Sequence, residues 1–369
     1  MKLDPFHLER YFAQHEFSAP YLLGSSDCES WSIDDLVALE LDAAERLLQL
    51  SLGYTESLGA PQLREAIAGL YELIGTDEVL VHAGAGEAIF NFMNVHLAPG
   101  DHVVVQSPCY QSLTEVARGC GAQVDAWVGD PAQGWALQFE DLVRLLTPRT
   151  KLVVVNFPHN PTGFLPSRAF FDQLVRLSQR HGFVLFCDEV YRGLEQDPGD
   201  RLPAVADLDD RAVSLGVMSK TYGLAGLRIG WIATRNREIY QQMARFKDYT
   251  TICNAAPSEF LATLALRHAD ALVARNLDIV RDNLARLDAF FADHADTFAW
   301  TRPKAGPIAF PSLRGGHSAD TFCADLVQNA GVMLLPGSLY GEQYTSSFRI
   351  GFGRRSLPEA LSRLEEHLS

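Results

Sequence analysis

The 369-residue chain has only six cysteines, Cys28, Cys109, Cys120, Cys187, Cys253 and Cys323, and no two of them form a CxxC pair. That scatter suits neither a zinc site nor a small disulfide framework, so reduced thiols are expected. Basic residues are also short: 31 Lys and Arg stand against 46 Asp and Glu, a formal net charge of −15. A polyanion would be repelled, which argues against nucleic acid and anionic membrane surfaces as partners. No apolar run reaches the roughly 20 residues that a membrane span requires. The opening Met1-Lys2-Leu3-Asp4-Pro5-Phe6 lacks an apolar signal region. A cytoplasmic location is the resulting expectation. There is no internal repeat and no low-complexity tract.

Nearly half of the chain, 47%, is hydrophobic, enough for one large and one smaller core. Short β-branched runs alternate with amphipathic stretches. The runs at His102–Val105, Leu152–Asn156, Val184–Cys187 and Ala212–Val217 predict strands. Ala60–Leu73, Phe139–Leu146, Pro166–Arg180 and Ser258–Arg267 predict helices. Such alternation points to an α/β fold with a mostly parallel sheet. From about Ala271 a long charged helix and short strands predict a smaller α+β domain. The expected division is an N-terminal segment at 1–45, a large domain at 46–270 and a small domain at 271–369.

Lys220 lies in Ser219-Lys220-Thr221-Tyr222-Gly223-Leu224-Ala225-Gly226-Leu227-Arg228-Ile229-Gly230-Trp231. Lysine usually keeps its ammonium in water, and this run is apolar and glycine-rich. A lysine that loses its proton there is a nucleophile suited to a Schiff base with an aldehyde. Arg228, roughly two helical turns downstream, is a fixed cation able to hold a phosphate. Asp188 ends the apolar run Phe183-Val184-Leu185-Phe186-Cys187. A buried acid there needs a partner, and α/β sheets bind ligands at that end of their strands. On its own Asp188 reads equally as a strand-end cap. In His82-Ala83-Gly84-Ala85-Gly86-Glu87 the glycines free backbone N–H groups before a helix, a natural phosphate cradle. Pro158, Asn160, Pro161 and Gly163 make a tight turn after a strand. Arg349, in Phe348-Arg349-Ile350-Gly351-Phe352, is a cation inside an apolar strand pattern. Its planar fork suits a carboxylate, from a substrate or from a structural ion pair.

Taken together, these motifs resemble the class I/II aminotransferases, the large enzyme family of fold type I that uses pyridoxal 5′-phosphate (PLP). The resemblance implies that Lys220 carries the cofactor and that Asp188 faces its ring nitrogen. It places Tyr191 and Asn160 at the phenolic oxygen, Asn160 at the substrate as well, and Tyr110 on the ring. Gly84, Ala85, Gly86, Ser219 and Arg228 would hold the phosphate, and Arg349 the substrate α-carboxylate. The Asn160–Pro161 bond is expected to be cis. Tyr54 would reach the neighbouring subunit's site, which implies a homodimer. The pattern departs from the family at Ala85 and Gly86, where hydroxyl residues are usual, and at Val217, three positions before the lysine.

The opening Leu8-Glu9-Arg10-Tyr11-Phe12 and Leu23-Gly24-Ser25-Ser26-Asp27-Cys28-Glu29-Ser30 is similar to enzymes like capreomycidine synthase. Those relatives eliminate a hydroxyl from a hydroxyarginine and close a cyclic guanidine. By that likeness Gly24, Glu9, Asp27 and Glu29 become candidate substrate-binding residues. Read simply as residues, the three acids are also solvated surface acids of an acidic protein. Two enzymatic readings follow, each taking a small-molecule amino acid. One is an aminotransferase, the other a cyclase or lyase; a non-catalytic binding protein is a third reading. The aminotransferase is the expectation.

Overall fold

A computed structural model describes residues 1–368. Seven strands form the central sheet: β1 (Val79–His82), β2 (His102–Ser107), β3 (Gln123–Val128), β4 (Thr150–Asn156), β5 (Val184–Asp188), β6 (Val213–Val217) and β7 (Gly230–Ala233). Their order is β1-β7-β6-β5-β4-β2-β3. Only β7 runs against the rest, pairing antiparallel with both β1 and β6. The middle strands are continuous apolar runs because helices cover both faces of the sheet. Leu152, Val153, Val154 and Val155 of β4 are all 0% exposed.

The expected strands are all present, with small shifts of their ends. The helix expected at Ala60–Leu73 is shorter, Pro61–Ala68, and caps at Gly69. Glycine is among the weakest helix formers, so the stop falls there rather than at the end of the apolar pattern. The long charged helix runs Ala269–Asp293 and buries Leu272, Leu277, Val280, Leu284 and Leu287 along one stripe. No helix among the described residues is long and apolar enough to cross a membrane.

A second, three-stranded antiparallel sheet has the order β8 (Ile308–Ala309), β10 (Phe348–Gly351), β9 (Leu335–Pro336). Arg349 lies on its central strand, opposite Leu335. The N-terminal segment is stitched to this region. Tyr21–Leu22 pairs in parallel with Val332–Met333, and the Tyr11 hydroxyl donates to the Leu334 carbonyl at 3.0 Å. The helix α1 (His7–His15) and the strap 23–27 thereby reach the carboxyl ends of the central strands, where a concave site opens.

Candidate active site

Asn156, Asp188 and Val217, the last residues of β4, β5 and β6, line a cavity of about 380 Å³. Its floor comes from the parallel sheet. Its roof comes from α1, the strap and β10 through Leu8, Phe12, Ser25, Ser26 and Arg349. Glu9, Asp27, Ala85, Gly86, Tyr110, Asn160, Asp188, Tyr191, Ser219, Lys220, Arg228 and Arg349 all face it.

Lys220 points its amine into this space, and Nζ donates to the Ser26 hydroxyl at 2.7 Å. Burial is the main cause that pushes its pKa below the ordinary lysine value, and Arg349 acts the same way; Asp27, Glu9 and Asp188 oppose the shift. Asp188 is 6% exposed and has no ion pair among the described residues. Its carboxylate accepts from the Val190 N–H at 3.2 Å. Burial pushes its pKa up to about 7, against the pull of that hydrogen bond and of Lys220. Asn156 braces the floor, donating to the Asp188 carbonyl at 2.7 Å and accepting from the Asn160 N–H at 2.6 Å.

Tyr191 is 1% exposed, and its hydroxyl has no hydrogen-bond partner. A buried hydroxyl left unpaired costs about 1–3 kcal/mol, so a ligand oxygen is the natural complement. On one wall, helix α2 (Ala85–His96) starts at Gly84, whose φ is +91°. A Cβ on Gly84 would stand 2.7 Å from the Arg228 guanidinium, so the bare glycine leaves room for that cation beside the helix start. Arg228 itself has φ +51°. A helix N-terminus under an arginine favours an anion. The wall offers backbone N–H groups, the Ser219 hydroxyl and Arg228, with Ala85, Gly86 and Val217 contributing no hydroxyl.

Arg349 is 1% exposed yet forms no ion pair among the described residues. Its Nε and Nη2 donate to the Gly24 carbonyl at 3.0 and 2.6 Å. Its Nη1 donates to the Tyr340 hydroxyl at 2.7 Å and to Asn160 Oδ1 at 3.2 Å. A buried guanidinium held only by neutral groups calls for an anion. Asn160 is thus bound to the arginine, and its peptide bond to Pro161 is cis.

The acids divide. Glu9 accepts from the Tyr110 hydroxyl at 3.1 Å. Asp27 is held by Arg354, whose Nη2 reaches both carboxylate oxygens at 3.0 and 2.9 Å. Glu29 lies outside the cavity lining, its carboxylate accepting the Arg355 N–H at 2.8 Å. Tyr54 is 92% exposed and also stands away from the lining. Sequence reading missed Ser26, Tyr340, Asn156, Arg354 and Glu16. Glu16 lines the cavity, and its carboxylate has no hydrogen bond or ion pair among the described residues, although Arg354 is near enough to act on it. It sits two helical turns after Glu9 along the same N-terminal stretch, a spacing that could have flagged it.

The lining fits PLP on three independent counts. Tyr191 has an orphan hydroxyl, Asp188 a carboxylate without a cation, and Gly84 a cradle that a Cβ would fill. The comparisons agree. Capreomycidine synthase of Streptomyces vinaceus is 32% identical over 98% of this chain and 93% of its own length. A PLP-dependent aminotransferase from Streptococcus suis superposes with a TM-score of 0.93 at 30% identity, covering 100% of this chain and 98% of that one. The PLP-dependent cyclase OrfR superposes with a TM-score of 0.90, also at 30% identity, with coverage of 100% and 98%. The fold is PLP fold type I. The sequence profile of aminotransferase class I and II matches residues 23–364, and the chain belongs to that family.

Proposed function

We propose that the protein moves the α-amino group of an amino acid to a 2-oxo acid, using Lys220 as both cofactor anchor and proton carrier. The protein is a PLP-dependent enzyme of the aminotransferase family. Bound PLP supplies an aldehyde for the amine and a ring that takes up the electron pair released at Cα. The chain's own groups do the rest. Asp188 would hold the ring nitrogen, Tyr191 and Asn160 the phenolic oxygen, and Tyr110 the ring. Gly84, Ala85, Gly86, Ser219 and Arg228 hold the phosphate. Arg349 fixes the substrate carboxylate, and that fixes which bond at Cα faces Lys220. As a free amine Lys220 would take the Cα proton as general base.

The observation that carries this reading is the meeting of Lys220, Asp188 and an acid-free Arg349 on one 380 Å³ cavity. Purified protein supplied with PLP, single amino acids and a 2-oxo acid should form the matching new amino acid and keto acid. Absence of amino transfer with every amino acid would overturn it.

A second reading is favoured by Glu16. With Asp27 matched by Arg354, Glu9 and Glu16 put two further acids on the cavity lining, a feature that suits a cationic side chain. Capreomycidine synthase and OrfR are the relatives in point. A hydroxyarginine converted to a cyclic product without an amino acceptor would establish this reading over transamination.

The proposal also includes a homodimer. Leu52, Tyr54, Tyr249 and Ile252 are 81%, 92%, 90% and 52% exposed. Their segments are joined by the Thr55–Asn254 and Lys247–Ser57 hydrogen bonds. Sedimentation of the purified chain tests it. A cytoplasmic location and the division at 1–45, 46–270 and 271–369 belong to the same reading.

A further inference from the structure

We infer that Ser26 is a positioning residue for Lys220: its hydroxyl holds the free amine in the orientation from which it reaches the substrate Cα. The inference rests on the reading of Lys220 as the base and extends it to a residue on a distant part of the chain.

The contact itself is short, Nζ to Oγ at 2.7 Å across 194 residues of sequence. The strap that carries Ser26 is fixed on both sides of it. The Leu23 carbonyl accepts from the Gly351 N–H at 2.5 Å. The Gly24 carbonyl takes two bonds from Arg349. Asp27 is clamped by Arg354, and the Glu29 N–H donates to the Gly353 carbonyl at 2.8 Å. Gly351 and Gly353 are packed so closely that a Cβ on either would run into the Ser25 or Asp27 carbonyl. Ser26 is therefore presented by rigid backbone and cannot drift with the lysine. Burial pushes the Tyr191 hydroxyl's pKa up, and Ser26 lies near enough to oppose that shift, although the two hydroxyls do not meet hydrogen-bond geometry.

A lysine side chain has four rotatable carbons, and an unheld amine samples many directions. While the Lys220 amine is free, Ser26 is the group in place to hold it. The Cα–H bond then breaks toward Nζ, an N–H bond forms, and the electron pair remains on the substrate side. Ser26 exchanges no proton of its own. The same arginine that would orient the substrate, Arg349, also fixes the strap through Gly24, so base and substrate are referenced to one element.

Ser26→Ala removes the hydroxyl at little cost in packing. In the holoenzyme it should lower kcat about tenfold, the scale of one aligned hydrogen bond, with KM within about twofold. The isotope effect with Cα-deuterated amino acid should rise, because proton removal becomes the slower step. Ser26→Thr should restore both. In the full chain without cofactor, acetylation of Lys220 followed against pH by mass spectrometry should titrate about one unit lower in Ser26→Ala. An unchanged labelling profile would overturn the contact. A changed profile with an unchanged isotope effect, or a loss expressed only in KM, would overturn the catalytic consequence. Labelling needs no turnover, so it stands apart from the assignment of Lys220 as base.

Discussion

Arg354 grips both carboxylate oxygens of Asp27 from a single nitrogen, Nη2, at 3.0 and 2.9 Å, and adds Nε at 3.2 Å. Both residues line the cavity, so this pair hides one positive and one negative charge from any substrate. Asp27 was legible in the sequence as an acid near the entrance, but its cancellation by Arg354 was not.

That pairing predicts a switch of preference. Asp27→Ala leaves Arg354 facing the cavity without its ion-pair partner, balanced only by the more distant Glu16 and Glu29. Amino acids with acidic side chains should then gain in kcat/KM by about tenfold relative to neutral ones, a modest charge-pair energy in a partly wet site. The measurement is a panel of amino acids on both proteins. Unchanged relative rates would mean that Arg354 does not reach the substrate side chain.

Arg349 gives a second prediction. Its fork is already aimed by Gly24, Tyr340 and Asn160. Arg349→Lys keeps the charge but loses the bidentate geometry. KM for the amino acid should rise at least tenfold, while an α-carboxamide analogue, which offers no anion, should bind the two proteins alike. Equal losses for acid and amide would place the effect in the strap rather than in carboxylate binding.

Gly84 supplies a third. Alanine at this position adds strain at φ +91° and pushes a methyl to within 2.7 Å of the Arg228 guanidinium. Gly84→Ala should weaken PLP affinity about tenfold or more, through displacement of Arg228 from the helix start. Fluorescence titration of cofactor-free protein with PLP reads this. Retained affinity would mean that Arg228 contributes little to the phosphate site.

How far the sequence went depends on how local each signal is. The strands of the central sheet were legible because a doubly covered parallel strand is a continuous apolar run, as at Val153–Val155. Lys220, Asp188, Arg228 and Arg349 were legible as candidates because each stands out against apolar neighbours. Ser26 and Tyr340 were not. A serine in Leu23-Gly24-Ser25-Ser26-Asp27 is ordinary, and only tertiary structure brings it to an amine 194 positions away. Glu29 shows the reverse error. Its charge resembles that of Glu9 and Asp27, but the strap turns it toward Arg355. Tyr54 stays exposed within the chain, and the partner proposed for it would lie in another subunit.

The fourth prediction concerns pH. Asp188 and Glu189 are consecutive, 6% and 7% exposed, and burial raises the pKa of each to about 7. Glu189 Oε1 accepts from the Val205 N–H and the Ser214 hydroxyl at 2.7 and 2.9 Å, while Oε2 has no partner. A carboxyl with a raised folded pKa holds its proton in the fold and releases it on unfolding. Between its unfolded pKa, roughly 4, and about 7, the native state therefore binds more protons than the unfolded one. Stability must fall as pH rises through that window and level off above it. Glu189→Gln removes one of the two titrations and keeps an acceptor for Val205. Cofactor-free protein should lose Tm between pH 5 and pH 7.5, and Glu189→Gln should lose less over the same range. In Asp188→Asn the Tm slope should flatten likewise, but PLP binding should suffer only in this variant, because Asp188 faces the cavity and Glu189 does not. A Tm that rises with pH equally in all three proteins would show that neither acid holds its proton in the native fold.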